Sequence, residues 1–348
     1  MSDPGSDVVD ARRGASGAAL LPWQVGWAAS VLARRERWPH AALITGPAGI
    51  GKRALADWLA RVLLCETPRA DGAPCNACPG CHYIGAGQHP DLRILDAFER
   101  SDDDVKAVEW IVVDRIRALL QWAELTSHRG GAKVALVDPA ERMNAAAANA
   151  LLKTLEEPPP NTHFLLVSQQ PNRLPATIIS RCQRMAAPIP DTGIARQWLA
   201  DRGIADAERV LAQAHGAPLA AVALANVEYQ HERRAWLTAL SSPRTLPVTS
   251  LGARVDAGPR EGRRERLAAV VDWLVAWCAD LARAQAGGAP RANADFGAQL
   301  NGLASSVAAL PLFRYHRRLL QQRALLAHPL QPRLVAEALL IDYRALFG

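Results

Sequence analysis

Lysine is scarce in this chain, occurring four times, at positions 52, 106, 133 and 153, among 40 basic residues, so arginine carries almost all the positive charge. Long apolar runs are missing as well. The best candidate, residues 268–282, is interrupted by Asp272 and Asp280, which excludes a membrane-spanning helix of roughly 18 residues. Six cysteines, four of them between positions 65 and 81, are too few and too clustered for a disulfide framework. Glycine and proline, 24 of each, show no period, which excludes collagen-like and low-complexity chains. No internal repeat is found. The chain opens Met1-Ser2-Asp3-Pro4 and reaches Arg12 and Arg13 only after three acids; that is the wrong order for a secretory signal, and a cytoplasmic location is expected.

What is present is globular: 348 residues, 49% hydrophobic and 21% charged, enough for two or three domains. The net charge of +6 is uneven. Residues 1–227 hold 24 basic and 24 acidic residues, while residues 228–348 hold 16 arginines against 10 acids. A basic end on a neutral body suits either a polyanion or an acidic partner, and equally a solvated, arginine-rich surface.

Periodicity predicts a helix over 23–38, a buried strand at 41–44, a glycine loop and then a second helix. A strand at 91–95, a long amphipathic helix over 105–122, a strand at 133–138, a helix over 140–155 stopped by Pro158-Pro159-Pro160, and a strand at 163–168 follow. Strands alternating with helices predict a parallel α/β sheet covered on both faces. Beyond Pro190 the pattern turns helical. About three short helices are expected over 191–226 and another near 228–240. Residues 241–262, rich in Ser, Pro, Gly and Arg, read as a loop, and helices follow to the end.

Gly46-Pro47-Ala48-Gly49-Ile50-Gly51-Lys52 matches the phosphate-binding loop, whose backbone N–H groups curl round an anion and whose lysine reaches the outer phosphates. Strand before and helix after are the required context. The motif expects Ser or Thr next, to hold magnesium, and Arg53 stands there instead. Asp138 ends a strand, as a magnesium-orienting aspartate should, but Pro139 occupies the place of a water-activating glutamate. Magnesium binding and hydrolysis are therefore expected to be lost, and nucleotide binding itself is left open.

Cys65, Cys75, Cys78 and Cys81 form C-x9-C-x2-C-x2-C, able to enclose one tetrahedral zinc with no open position, hence a structural site. An iron–sulfur cluster is the rival reading. His82 and His89 are near enough to compete as ligands, and four cysteines suffice without them. Cys278, beside Trp277, is most simply a buried small hydrophobe.

The most specific text is Asn144 to Pro159, containing Leu151-Leu152-Lys153-Thr154-Leu155-Glu156-Glu157-Pro158, followed by Ser180-Arg181-Cys182. On these residues, with the four-cysteine insert after the phosphate-loop helix, the chain resembles the bacterial clamp-loader subunits of the AAA+ class over residues 23 to about 187. The resemblance implies an AAA+ P-loop parallel-sheet domain with a zinc module (1–188), a small three-helix lid (189–227) and an all-α helical collar (228–348). It implies that Arg181, at the start of a helix on the surface, acts as an arginine finger on a neighbouring ATPase. It also implies that Gly46, Gly49, Gly51, Lys52, Asp138 and Ser168, the last at the sensor-1 position, form a degenerate nucleotide site. Related motor subunits carry an arginine near the place held here by Leu219. The implied partners are motor subunits of the tau/gamma type and a delta subunit in a hetero-pentamer, with primed DNA and a sliding clamp reached through the assembly. Two alternatives stand beside this reading: an active motor ATPase resting on Lys52 and Asp138, and a zinc-dependent DNA-binding protein. For the latter, Arg314-Tyr315-His316-Arg317-Arg318 is the one basic run interleaved with an aromatic residue.

Overall fold

The computed structural model describes residues 20–34, 38–100, 105–107, 110–260, 262–326 and 331–348. It divides into two compact units, one of residues 1–203 with 216–223, the other of residues 204–215 with 224–348.

In the first unit, short apolar runs become parallel strands because only a sheet covered on both faces can bury every side chain of such a run. The strands are β1 (Ala41–Thr45), β2 (Leu92–Asp96), β5 (Lys133–Asp138), β6 (Thr162–Ser168) and β7 (Gln183–Ala186), in the spatial order β2-β5-β6-β1-β7. This is the expected α/β body. Alternate residues feed two cores. Ala41, Leu43, Ala135, Val137, Phe164 and Leu166 face one way, against helices α4 (Val113–Glu124), α5 (Ala145–Glu156) and α6 (Ala176–Ile179). Ala42, Ile44, Val134, Leu136, Leu165 and Val167 face the other, against α1 (Val25–Leu32) and α2 (Lys52–Leu64). The remaining pieces are α3 (Pro79–Gly85) and a two-stranded hairpin, β3 (Phe98–Arg100) with β4 (Val105–Ala107). Register pairs Thr45 with Ser168 and Val137 with Leu166, so β1, β5 and β6 end side by side. Their carboxyl ends carry the phosphate loop, Asp138 and Ser168.

Local signals fix several boundaries. Asn144 caps α5 by accepting the Ala147 N–H at 2.8 Å, and the helix ends at Glu156 ahead of the triple proline, which cannot continue it. Two helix expectations fail in this unit, and one strand was not expected. The long helix over 105–122 begins only at Val113, its first residues forming β4. The helix over 23–38 is shorter, Val25–Leu32, and residues 35–37 lie outside the described residues. Strand β7 is that one: its sequence, Gln-Arg-Met-Ala, sits largely exposed on a sheet edge and lacks an apolar run.

Helices α7 (Thr192–Ala200), α8 (Ala207–Gln213) and α9 (Pro218–Leu224) lie in the stretch read as three short helices. The second unit contains α8 together with α10 (Val227–Leu240), α11 (Val248–Asp256), α12 (Arg263–Gln285), α13 (Gly297–Ala304), α14 (Ala309–Leu325) and α15 (Pro332–Arg344). The segment 241–262 is not the loop its composition suggests: α11 occupies it, and Leu246, Leu251 and Val255 are buried in the helical core. Trp277 and Tyr343 are fully buried at its centre, where the indole N–H donates to the Tyr343 hydroxyl and that hydroxyl donates to the Leu240 carbonyl, both at 2.8 Å. Cys278 is fully buried beside them.

Candidate functional site

The phosphate loop leaves β1 and closes onto α2. Gly49 and Gly51 sit at φ of 76° and 87°, a region costly for any residue with a Cβ. A Cβ at Gly51 would also lie 2.3 Å from Leu21, and one at Gly49 would lie 2.8 Å from Ala220. Each loop carbonyl from Gly49 to Gly51 has a fixed donor: Leu219 N–H to Gly49 (3.0 Å), Trp23 Nε1 to Ile50 (2.9 Å) and Gln24 Nε2 to Gly51 (2.8 Å). Lys52 is buried, and its Nζ donates to the Pro47 carbonyl at 2.6 Å. Burial lowers its pKa, opposed by the charges of Asp138 and Glu141.

Arg53 is the decisive departure. Its Nε donates to Asp57 Oδ1 at 2.9 Å, one helical turn on, and its Nη1 to Asp138 Oδ2 at 3.3 Å across the sheet end. Burial pushes the Asp138 carboxyl above its ordinary value, and Arg53 opposes that shift. A hydrolysing loop puts a hydroxyl at position 53 and leaves the aspartate free for magnesium. Here a cation fills that place and offers no oxygen, so the residues do not fit magnesium, which demands near-octahedral oxygen ligands. Ser168 is fully buried, and its hydroxyl accepts the Gln170 N–H at 3.2 Å. The six predicted residues Gly46, Gly49, Gly51, Lys52, Asp138 and Ser168 thus share one end of the sheet.

Sequence reading missed Glu141 here. It is buried, its Oε1 accepts the Gln169 N–H at 3.1 Å, and its Oε2 has no hydrogen-bond partner among the described residues. No motif pointed to it. Asp57 was legible in principle, because an acid four residues after Arg53 on a helix lies within its reach.

The four cysteines converge as predicted. Cys65 Sγ lies 3.6 Å from Cys75 Sγ and 4.0 Å from Cys78 Sγ, Cys75 Sγ lies 4.0 Å from Cys81 Sγ, and all four sulfurs fall within 4.8 Å of one another. A tetrahedral ion bound by thiolates at about 2.3 Å requires sulfur separations of about 3.8 Å, so the set fits one metal ion. Asn76, at φ 58°, makes the turn. Cys75 Sγ accepts the Cys78 N–H at 3.2 Å and the Thr67 hydroxyl at 3.3 Å. The Thr67 bond, followed by the Ala77 N–H, holds the Cys75 thiol down at about 5, whereas burial pushes Cys81 up. His82 and His89 are not in the cluster; His89 Nδ1 instead accepts the Asp91 N–H at 3.1 Å.

Arg181 does not begin a helix. It follows the four-residue α6 in the turn before β7, because Leu174-Pro175 starts that helix and β7 follows at once. Its side chain is about one-third exposed. Its Nε donates to Glu156 Oε1 at 2.6 Å, Nη2 bonds the same oxygen, and Nη1 donates to the Thr177 carbonyl at 3.0 Å. Glu156 is a second residue that sequence reading left without a role.

In the second unit, several arginines answer acids of the same unit. Arg233, 3% exposed, donates to Asp295 Oδ2 and Asn293 Oδ1, both at 2.7 Å. Arg254 pairs with Glu232, Arg318 with Asp342, Arg323 with Asp272 and Arg333 with Glu337. Tyr315, the aromatic of the basic run, is buried and donates to the Leu339 carbonyl at 2.8 Å. It is therefore withdrawn from base stacking, against the DNA-binding alternative. Among the described residues, no helix is long and apolar enough to cross a membrane.

A family model described as DNA polymerase III, delta subunit, matches residues 29–189. The delta-prime subunit of DNA polymerase III from Haemophilus influenzae is 33% identical over 252 residues, 69% of this chain and 70% of that protein. The chain belongs to the delta-prime family of DNA polymerase III subunits. The delta-prime subunit of Pseudomonas aeruginosa is 46% identical over 209 residues; the match takes in 59% of this chain and 61% of the relative's length. The tau subunit of Escherichia coli is 40% identical over 143 residues, 41% of this chain and 20% of that protein. A gamma subunit-related protein of Thermotoga maritima aligns structurally with a TM-score of 0.42 at 17% identity, covering 93% of this chain and 100% of that one.

Proposed function

We propose that this delta-prime family member is a clamp-loader subunit that does not hydrolyse ATP itself and lends Arg181 to the ATP site of a neighbouring motor subunit, helping to load a sliding clamp onto primed DNA. The observation that carries the reading is the Arg53–Asp138 pair at 3.3 Å, which puts a side-chain cation where a motor subunit needs magnesium. A guanidinium suits the trans role because it stays charged and is planar, and it stabilises charge developing on a γ-phosphate. The four cysteines hold a structural zinc: thiolate ligands at tetrahedral spacing leave no position open for chemistry. The basic helical unit serves assembly, with several of its arginines paired to its own acids.

Reconstitution with motor and delta subunits tests the reading. Arg181→Ala should depress DNA-stimulated ATP hydrolysis by about 10³-fold or more per engaged site, with the assembly still intact by gel filtration. An unchanged rate would remove Arg181 from the mechanism. Mg-ATP hydrolysis by the isolated chain, abolished by Lys52→Ala, would make it a motor subunit instead. Metal analysis should find one zinc per chain, lost in Cys78→Ser, and iron with a visible absorption band would overturn the zinc.

A further inference from the structure

We infer that the free edge of β7, with the groove beside it, docks an extended acidic segment of a partner protein, which adds to the five-stranded sheet as one more strand. This goes beyond the clamp-loader reading and uses none of the residues on which that reading stands.

β7 closes the strand order β2-β5-β6-β1-β7, so one side of it faces β1 and, among the described residues, the other side faces no strand. The Ala187 N–H donates to the Thr45 carbonyl at 2.8 Å, which sets the phase of the parallel ladder. In that phase Gln183 and Met185 turn their backbone groups to β1, and Arg184 and Ala186 turn theirs outward. No described residue bonds those outward groups. Gln183, Arg184 and Ala186 are exposed. A row of unspent N–H and C=O groups on an open sheet edge is a template for another extended chain.

The groove supplies the specificity that a bare edge lacks. About 1140 Å³ in volume, it runs between β7, the carboxyl end of α1 and residues 69–72 of the cysteine module. Trp27, Leu32 and Trp38 line it, and Met185 packs against the same core as they do. Side chains alternate between the two faces of a strand, and neighbouring strands share that alternation. Residues of an added strand that lie beside Gln183 and Met185 therefore meet the indoles, and those beside Arg184 share its face. Arg34, at the groove's α1 end, and Arg184 have no acid partner among the described residues. Arg69, the third cation in the groove, is answered by Asp71 at 3.7 Å. Apolar residues against the indoles and acids against the two unpaired arginines complement this surface. A nucleic acid would answer the arginines and stack on the indoles, but it has no alternating N–H and C=O groups for the edge. A peptide uses all three features.

Fluorescence anisotropy with the full chain and a labelled peptide of alternating Asp and Leu, about six residues long to span the strand, tests this. The peptide should bind one to one with a Kd of about 100 μM or tighter, and more weakly as salt is raised. A peptide of alternating Lys and Leu should not bind. Arg34→Glu and Arg184→Glu should each lower affinity by about tenfold, since a like charge then faces the acids. Ala186→Pro removes an outward N–H, leaves the ladder to β1 intact and should lower affinity by about tenfold or more. N-methylation of every second peptide amide should abolish binding in one phase and be tolerated in the other, because only alternate residues of an added strand bond to β7. An unchanged thermal transition shows that a variant is folded, and the methylated peptides carry the test should Ala186→Pro unfold. Failure of the Asp–Leu peptide to bind, equal binding of the Lys–Leu peptide, or indifference to N-methylation in both phases would overturn the inference. So would tighter binding of a single-stranded oligothymidylate with the same dependence on Arg34 and Arg184, which would assign the groove to nucleic acid.

Discussion

On the proposed role of Arg181, its pairing with Glu156 sets how readily the guanidinium is released to a neighbouring site, and Glu156→Gln measures it. In this chain the guanidinium is held by two bonds to one carboxylate oxygen and one to the Thr177 carbonyl. The carboxylate is about half exposed and the arginine about one-third, so solvent screens the pair and it is worth at most about 1 kcal/mol. That corresponds to about a fivefold preference for the parked arginine. A finger that must first be released lowers the apparent affinity of the neighbouring site by the fraction available. Neutralising Glu156 should therefore lower the ATP concentration giving half-maximal hydrolysis in the reconstituted loader by about two- to fivefold. The maximal rate should hold, because the substitution leaves the proposed contact with the γ-phosphate untouched, and the isolated chain's stability should move by less than about 1 kcal/mol. The reasoning fails if Glu156→Gln raises the half-saturating concentration, or if it leaves the concentration untouched while Arg181→Ala abolishes the stimulated rate.

In the helical unit, Tyr343→Phe deletes one hydroxyl but orphans both the Trp277 indole N–H and the Leu240 carbonyl, so unfolding in urea should show a loss of about 2–4 kcal/mol; a loss below about 1 kcal/mol would mean that the hydroxyl bridges neither group. In the sheet unit, burial, against Arg53, holds Asp138 above its ordinary value. A raised folded pKa contributes stability that is fully present below the ordinary aspartate value of about 4 and is lost as pH rises through the raised one. Thermal unfolding across that window should flatten in Asp138→Asn, and an unaltered profile would show that other groups set it.

Much of the candidate site is legible because its parts are neighbours in sequence. Gly46 to Lys52 is one turn of chain, and four cysteines within 17 residues converge through local turns whatever the rest of the fold does. Strands β1, β5 and β6 announce themselves as unbroken apolar runs, since a sheet buried on both faces accepts nothing else. Elements that depend on distant partners are illegible. Helix α11 has the composition of a loop and is held by burying Leu251 and Val255, with Leu246 just before it, in a core assembled from residues up to Tyr343. Edge strand β7 has no pattern of its own and exists because β1 offers it hydrogen bonds.

The sequence by itself determined that a phosphate loop has lost its magnesium hydroxyl, that four thiols are gathered, and that a Ser-Arg-Cys segment follows the last long apolar strand. What becomes of those features was decided by tertiary structure. Arg53 meets Asp138 across 85 residues, Arg181 meets Glu156 across 25, and Tyr343 meets Leu240 across 103. A missing hydroxyl can be read one residue at a time, but whether its replacement fills the metal's place depends on which strand ends beside it. Strand order sets that, and no local pattern encodes it.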